Sequence, residues 1–215
     1  MNKPKVLLAD DHKILIEGLR GLLEPEFELL ETVEDGRQLV AAVEEQMPDV
    51  IVADISMPML NGIEAGRQIL KAHPKAKIIF LTMHSDVAYA AEAIRLGAVG
   101  YLLKRSAAAE LVTAIREVIK GGVYVTPPIA KGLMTSSVLG NPLQSHGPSA
   151  SLTARQREVL QLVAEGNTIK EIGNILNVSP KTVEFHKYRL MEQLDLRTTA
   201  ELTQYAVKHG IVQPA

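Results

Sequence analysis

Up to about residue 121 the chain alternates between two hydrophobic rhythms, and beyond it only one survives. Val6-Leu7-Leu8-Ala9, Val50-Ile51-Val52-Ala53, Ile78-Ile79-Phe80-Leu81 and Val99-Gly100-Tyr101-Leu102-Leu103 are continuous apolar runs. Runs this short, bounded by turn residues, mark strands buried on both faces of a parallel sheet. Between them apolar residues recur at helical spacing over about Lys13–Glu24, Gln38–Gln46, Ile63–Ala72, Val87–Leu96 and Ala107–Lys120, with Phe27–Val33 as a further strand. Five strand–helix units predict a doubly wound α/β domain with a five-stranded parallel sheet.

The pattern changes at Gly121-Gly122. Val123 to Ser151 is rich in Gly, Pro, Ser and Thr and reads as a linker, with one short helix near Pro128–Met134. From Leu152 onward only helical spacing remains. Thr153-Ala-Arg-Gln156, Thr168-Ile-Lys-Glu171 and Thr198-Thr-Ala-Glu201 each fit a capping box, and Ser179-Pro180 places a capping hydroxyl before a first-turn proline. Gly166 and Asn177-Val178-Ser179 end the first two helices. The chain thus divides into an α/β domain at 1–121, a linker at 122–151 and a small all-α domain at 152–215.

Composition narrows the classes. The 215 residues allow two small domains with cores of their own, and the absence of cysteine excludes disulfides and thiolate metal sites. No apolar run reaches membrane-spanning length, and the charged start leads into a strand rather than a signal peptide, so a soluble cytoplasmic protein without membrane contact is expected. Lys and Arg number 14 against 18 Asp and Glu in residues 1–121, and 9 against 7 in 122–215. The back half is therefore mildly positive, a weak sign of a polyanionic partner.

Each strand run ends in a reactive side chain: Asp10-Asp11, Asp54, Thr82 and Lys104. Parallel sheets place ligands at the carboxyl ends of their strands, so three carboxylates, a hydroxyl and an ammonium should meet at one edge. Singly, each has an ordinary reading as a turn or strand end. Jointly they suit a divalent cation and a phosphoryl group, with carboxylates as hard oxygen ligands and Lys104 and Thr82 holding phosphoryl oxygens.

In the back half, Val183, Leu190 and Leu194 form one apolar seam along Lys181–Leu194. The opposite face carries Lys181, Glu184, Phe185, Tyr188, Arg189 and Glu192, with His186 and Lys187 at the borders. A second helix after a short turn, polar, partly basic and aromatic, has what a major-groove recognition helix needs. Lys181, Lys187 and Arg189 would contact phosphates, while Glu184 and Phe185 would meet cytosine N4 and a thymine methyl. The last helix offers a narrow stripe of Ala200, Leu202, Thr203, Ala206 and Val207.

Together, Asp10-Asp11, Asp54 in Asp54-Ile-Ser-Met-Pro58, Thr82, Tyr101 and Lys104 resemble the receiver domain of bacterial response regulators. Leu152-Thr-Ala-Arg-Gln-Arg-Glu158, Lys170-Glu171-Ile172 and Ser179-Pro-Lys-Thr-Val183 resemble the LuxR-type helix-turn-helix of the NarL/FixJ subgroup. The resemblance implies a two-component regulator, not an enzyme, phosphorylated on Asp54 by a sensor histidine kinase. It implies Mg²⁺ held by Asp11, Asp54 and the Ser56 carbonyl with Asp10 through water, Thr82 and Lys104 on the phosphoryl oxygens, and Tyr101 swinging inward. It further implies DNA contacts from Lys181, Thr182, Glu184, Phe185, Lys187, Tyr188 and Arg189, a homodimer joined through the last helix, and RNA polymerase as a further partner. Phosphorylation would unmask the recognition helix and dimerise the chain in some mixture, with dimerisation carrying most of the gain. Gly173 departs from the pattern, which usually has alanine there, and glycine costs a helix interior about 1 kcal/mol. An aspartate-nucleophile phosphatase would need an acid two residues after Asp54, which Ser56 cannot be.

Overall fold

The structure is a computed structural model that describes residues 3–138 and 152–212. Six parallel strands, β1 (Lys5–Ala9), β2 (Glu28–Leu29), β3 (Val50–Ala53), β4 (Ile78–Thr82), β5 (Gly100–Leu103) and β6 (Tyr124–Val125), form one sheet in the order β2-β1-β3-β4-β5-β6. Five helices connect the first five strands and lead into the sixth: α1 (Lys13–Leu23), α2 (Gly36–Gln46), α3 (Gly62–Ala72), α4 (Val87–Leu96) and α5 (Ala107–Ile119). Alternate side chains of each strand serve opposite faces. Leu7 and Ala9 pack with α2, α3 and α4, whereas Val6 and Leu8 pack with α1 and α5. That double burial is why the runs are continuous.

Two expectations are corrected. Phe27–Val33 is not a full strand: only Lys5↔Glu28 and Val6↔Leu29 pair, and Val33 rejoins β1 through a bridge to Ala9. Between them Glu31 turns its N–H to the Gln46 side chain, 3.1 Å away, instead of to β1. The sheet also has six strands rather than five. After Gly121, at φ +93°, the chain returns alongside β5, and the Thr126 hydroxyl completes the new edge by accepting the Leu103 N–H at 3.2 Å. The predicted linker helix is longer than expected, α6 (Pro127–Val138), and its Ile129 enters the core beside α4. Residues 139–151 of the expected linker lie outside the described residues.

Among its described residues the back half is all helical: α7 (Ala154–Ala164), α8 (Ile169–Leu176), α9 (Pro180–Leu194) and α10 (Thr199–Lys208). All three capping boxes form, and the Ser179 hydroxyl accepts the Thr182 N–H. Asn177, at φ +51°, turns α8 toward α9. Gly173 answers its apparent cost here, since a Cβ on it would stand 3.0 Å from the Val178 carbonyl oxygen. The bare backbone lets the turn close onto α8. Val159, Leu160, Leu162, Ile172, Val183, Leu190 and Leu202 make a separate core.

Candidate functional site

The strand order reverses beside β1, and the residues that end β1, β3, β4 and β5 converge at the carboxyl edge, where such sheets open a crevice. Lys104 Nζ stands 2.8 Å from Asp10 Oδ2 and 2.7 Å from Asp54 Oδ2, and all three side chains are less than a tenth exposed. Burial raises the Asp54 carboxyl above its ordinary range, with Lys104 working against it. Burial also works to lower the Lys104 ammonium, but the two aspartates outweigh it and hold the group charged. Asp11 sits at the rim, and His12 Nδ1 lies 2.9 Å from a carboxylate oxygen of Asp10 and of Asp11. One ligand atom from each of Asp10, Asp11, His12 and Asp54 falls within 4.8 Å of every other. This oxygen-rich donor set fits a hard divalent cation.

The polar groups after β3 and β4 are already linked. The Ser56 hydroxyl and His84 Nε2 lie 2.9 Å apart, and the Thr82 hydroxyl accepts the His84 N–H at 3.1 Å. Tyr101 is fully buried and donates its hydroxyl to the His84 carbonyl at 2.9 Å, so the inward position is the one adopted here. From the family resemblance, His84 is expected, with Ser56, only to tune phosphoryl lifetime, and no contact is assigned to it. Its side chain and backbone instead join three of the predicted site residues.

On α9, Val183 and Leu190 are buried as the seam required, and Lys181, Glu184, Phe185, Tyr188 and Arg189 are exposed, with Thr182 and Lys187 half-buried. Phe185 and Tyr188 are 56% and 67% exposed, so this face is open and not masked by the α/β domain. The Arg189 guanidinium lies 5.7 Å from the Phe185 ring centroid, and Lys187 Nζ donates to the Thr199 hydroxyl at 2.7 Å. In α10, Leu202 and Ala206 of the predicted stripe are buried within the domain, leaving Ala200 exposed and Thr203 and Val207 half-buried.

A second set of polar residues, to which the sequence assigned no site role, joins the two domains. Gln161 of α7 accepts the Asn61 N–H at 2.7 Å and donates to the Met57 carbonyl at 2.9 Å. Glu165 accepts the Met59 N–H at 3.1 Å, and Arg157 pairs with Glu64 of α3 at 2.6 Å. Glu64 also meets Arg67, which reaches Glu92 of α4. Tyr89 of α4 donates its hydroxyl to the His209 carbonyl just beyond α10. Val159 to Val163 of α7 are buried without a break, as befits a helix that packs against more than its own domain.

Two family models match the chain: the response regulator receiver domain over residues 6–116, and the luxR family of bacterial regulatory proteins over 150–206. The chain is 34% identical to the transcriptional regulatory protein DegU of Brevibacillus brevis, over 99% of this chain and 96% of that one. It is 35% identical to the response regulator UvrY of Escherichia coli K12, over 96% and 94% respectively. Among solved structures, Salmonella typhimurium RcsB aligns with a TM-score of 0.64 at 28% identity, covering 97% of this chain and 99% of that one. An RcsB–DNA complex aligns with a TM-score of 0.59 at 28% identity over 95% and 98%. These relatives are regulators and not enzymes, and among the described residues no helix is long and apolar enough to cross a membrane. A six-stranded parallel receiver joined to a four-helix LuxR-type domain, matched in both parts and over nearly its whole length, belongs to the two-component response regulators of the NarL/FixJ type.

Proposed function

We propose that this regulator accepts a phosphoryl group on Asp54 from a sensor histidine kinase and converts it into control of sequence-specific DNA binding and transcription. The observation that carries the reading is Lys104 bridging the buried Asp10 and Asp54, with the buried Thr82 at the end of the neighbouring strand. A carboxylate oxygen of Asp54 attacks phosphorus, and the bond to the donor breaks with its electrons leaving on the donor group. Lys104 exchanges Asp54 for the incoming phosphoryl oxygens, and the Thr82 hydroxyl turns from the His84 N–H to join them. Asp10, Asp11, Asp54 and the Ser56 carbonyl would hold Mg²⁺, which supplies neutralisation of the charge gathering on the phosphoryl oxygens. Tyr101, already inward, stabilises the arrangement from behind.

Residues 1–121 act as the receiver, 122–151 as the connection and 152–215 as the DNA-binding domain, with Lys181, Thr182, Glu184, Phe185, Lys187, Tyr188 and Arg189 facing the groove. The exposure of Phe185 and Tyr188 favours dimerisation over unmasking as the activating step. A homodimer holds two recognition helices on paired half-sites, and RNA polymerase is the further partner. The relationship to a DNA-bound RcsB supports the DNA-binding part. The test is labelling by acetyl phosphate with and without Mg²⁺. Wild type should label only with Mg²⁺, Asp54→Asn should not label at all, and labelled protein should run as a dimer with raised affinity for paired sites. Undiminished labelling of Asp54→Asn overturns the assignment.

A further inference from the structure

The helix-turn-helix domain touches the receiver on both sides of Asp54. On one side α7 grips the loop that follows β3: Gln161 holds the backbone of Met57 and Asn61, and Glu165 holds the Met59 N–H. Met59 is in the left-handed region at φ +65°, unusual for a residue with a Cβ, and its side chain packs against the helical core. The loop's shape is therefore secured by groups of the other domain. On the opposite side, Tyr89 donates to the His209 carbonyl and stacks its ring on His84 at 4.7 Å between centroids, 19° from parallel. The two secured segments then meet, with the Ser56 hydroxyl and His84 Nε2 2.9 Å apart.

We infer that the helix-turn-helix domain sets the reactivity of Asp54, with Gln161 and Tyr89 as positioning residues that hold the Ser56–His84 latch beside the acceptor. The inference rests on Asp54 being the phosphorylated residue. Asp54 has a side chain only 1% exposed, and both latch residues lie close enough to interact with its carboxyl, so whatever fixes Ser56 and His84 also fixes the surroundings a donor or a water meets there. A docked domain thereby slows both reactions. In uptake, an Asp54 oxygen bonds to the phosphorus of acetyl phosphate and acetate leaves with the bonding electrons. In loss, water bonds to phosphorus, the Asp54 carboxylate leaves, and the water's protons pass to phosphate and solvent. Coupling between sites is reciprocal in binding free energy, so a domain that reads the phosphoryl state also biases it.

The experiment compares full-length proteins with acetyl phosphate and Mg²⁺, following uptake and then decay after the donor is removed. Tyr89→Phe keeps the stack on His84 and loses only the bond to His209, and Gln161→Ala releases the loop. Each should speed both uptake and decay, by about fivefold or more if the link has the strength of ordinary site-to-site couplings. Ser56→Ala, which removes the latch hydroxyl, should speed both as well, and adding Tyr89→Phe to it should change nothing further. Wild-type rates in both Tyr89→Phe and Gln161→Ala overturn the inference and leave the Asp54 reading standing. So does a full Tyr89→Phe effect on the Ser56→Ala background, because the effect would not then pass through the latch. A wild-type protein that takes no phosphoryl group overturns both.

Discussion

Arg157 of the helix-turn-helix domain and Glu64 of the receiver pair at 2.6 Å across the domain junction, with side chains 10% and 3% exposed. Removing one partner of a buried pair costs roughly 3–5 kcal/mol when the survivor stays buried. Here the survivor can regain water if the domains part. Arg157→Ala or Glu64→Gln is therefore expected to open the chain more than to unfold it. Small-angle scattering should show a larger radius of gyration with the receiver's melting temperature close to wild type. An unchanged radius with a large loss of melting temperature would show that the pair serves a domain and not the junction.

The same junction should respond to acid. Burial is the largest cause raising both Glu92 and Glu165 above the ordinary glutamate range. The docked form therefore holds protons more tightly than the open form, so docking strengthens as pH falls toward that range and weakens as it rises. His209, pushed down by burial, acts oppositely just below neutrality, because the open form protonates more readily. Proteolytic nicking between the domains, followed against pH, should slow toward the glutamate range. Glu92→Gln should flatten that dependence, and a curve unchanged by it would remove Glu92 from the account.

On α9 the basic and aromatic residues should separate by role. Arg189→Ala should weaken binding to all DNA sequences and reduce the slope of affinity against salt by about one unit, since phosphate contacts are sequence-blind. Phe185→Ala should change which sites are preferred, at roughly 1–3 kcal/mol per lost base contact. Because Arg189 leans over the Phe185 ring, the double variant should deviate from additivity. Uniform scaling of affinity by every variant, measured on a panel of sites, would discard the division.

Gly62 opens α3 immediately behind Asp54. A methyl there would overlap the Asp54 carbonyl and crowd Ile55 Cα, so backbone and not a movable side chain would have to yield. Gly62→Ala is expected to cost roughly 3 kcal/mol or more in denaturant unfolding of the receiver, the upper range for single substitutions. Gly18→Ala, on the exposed part of α1 with open space at its Cβ, should be neutral or slightly stabilising.

The long strands and helices were legible because burial on both sheet faces leaves a continuous apolar run, and capping residues announce each helix start. Asp10, Asp54, Thr82 and Lys104 were legible for the same reason, each ending such a run. Tyr124–Val125 was hidden since two residues carry no period, and their pairing depends on the turn at Gly121 bringing them to β5. Gln161 and Glu165 were hidden because their partners are backbone groups of a loop about 100 residues earlier, which side-chain pattern cannot specify. The joining of Ser56, His84 and Tyr89 is likewise a product of three elements meeting in space.

The open face of α9 has a kinetic consequence. A protein whose groove surface is free before any signal arrives can hold DNA weakly by charge, slide and hop, and so sample promoters while still unmodified. Phosphorylation would then act on molecules already in transit along the chromosome, and response time would be set by residents finding one another rather than by arrival from solution.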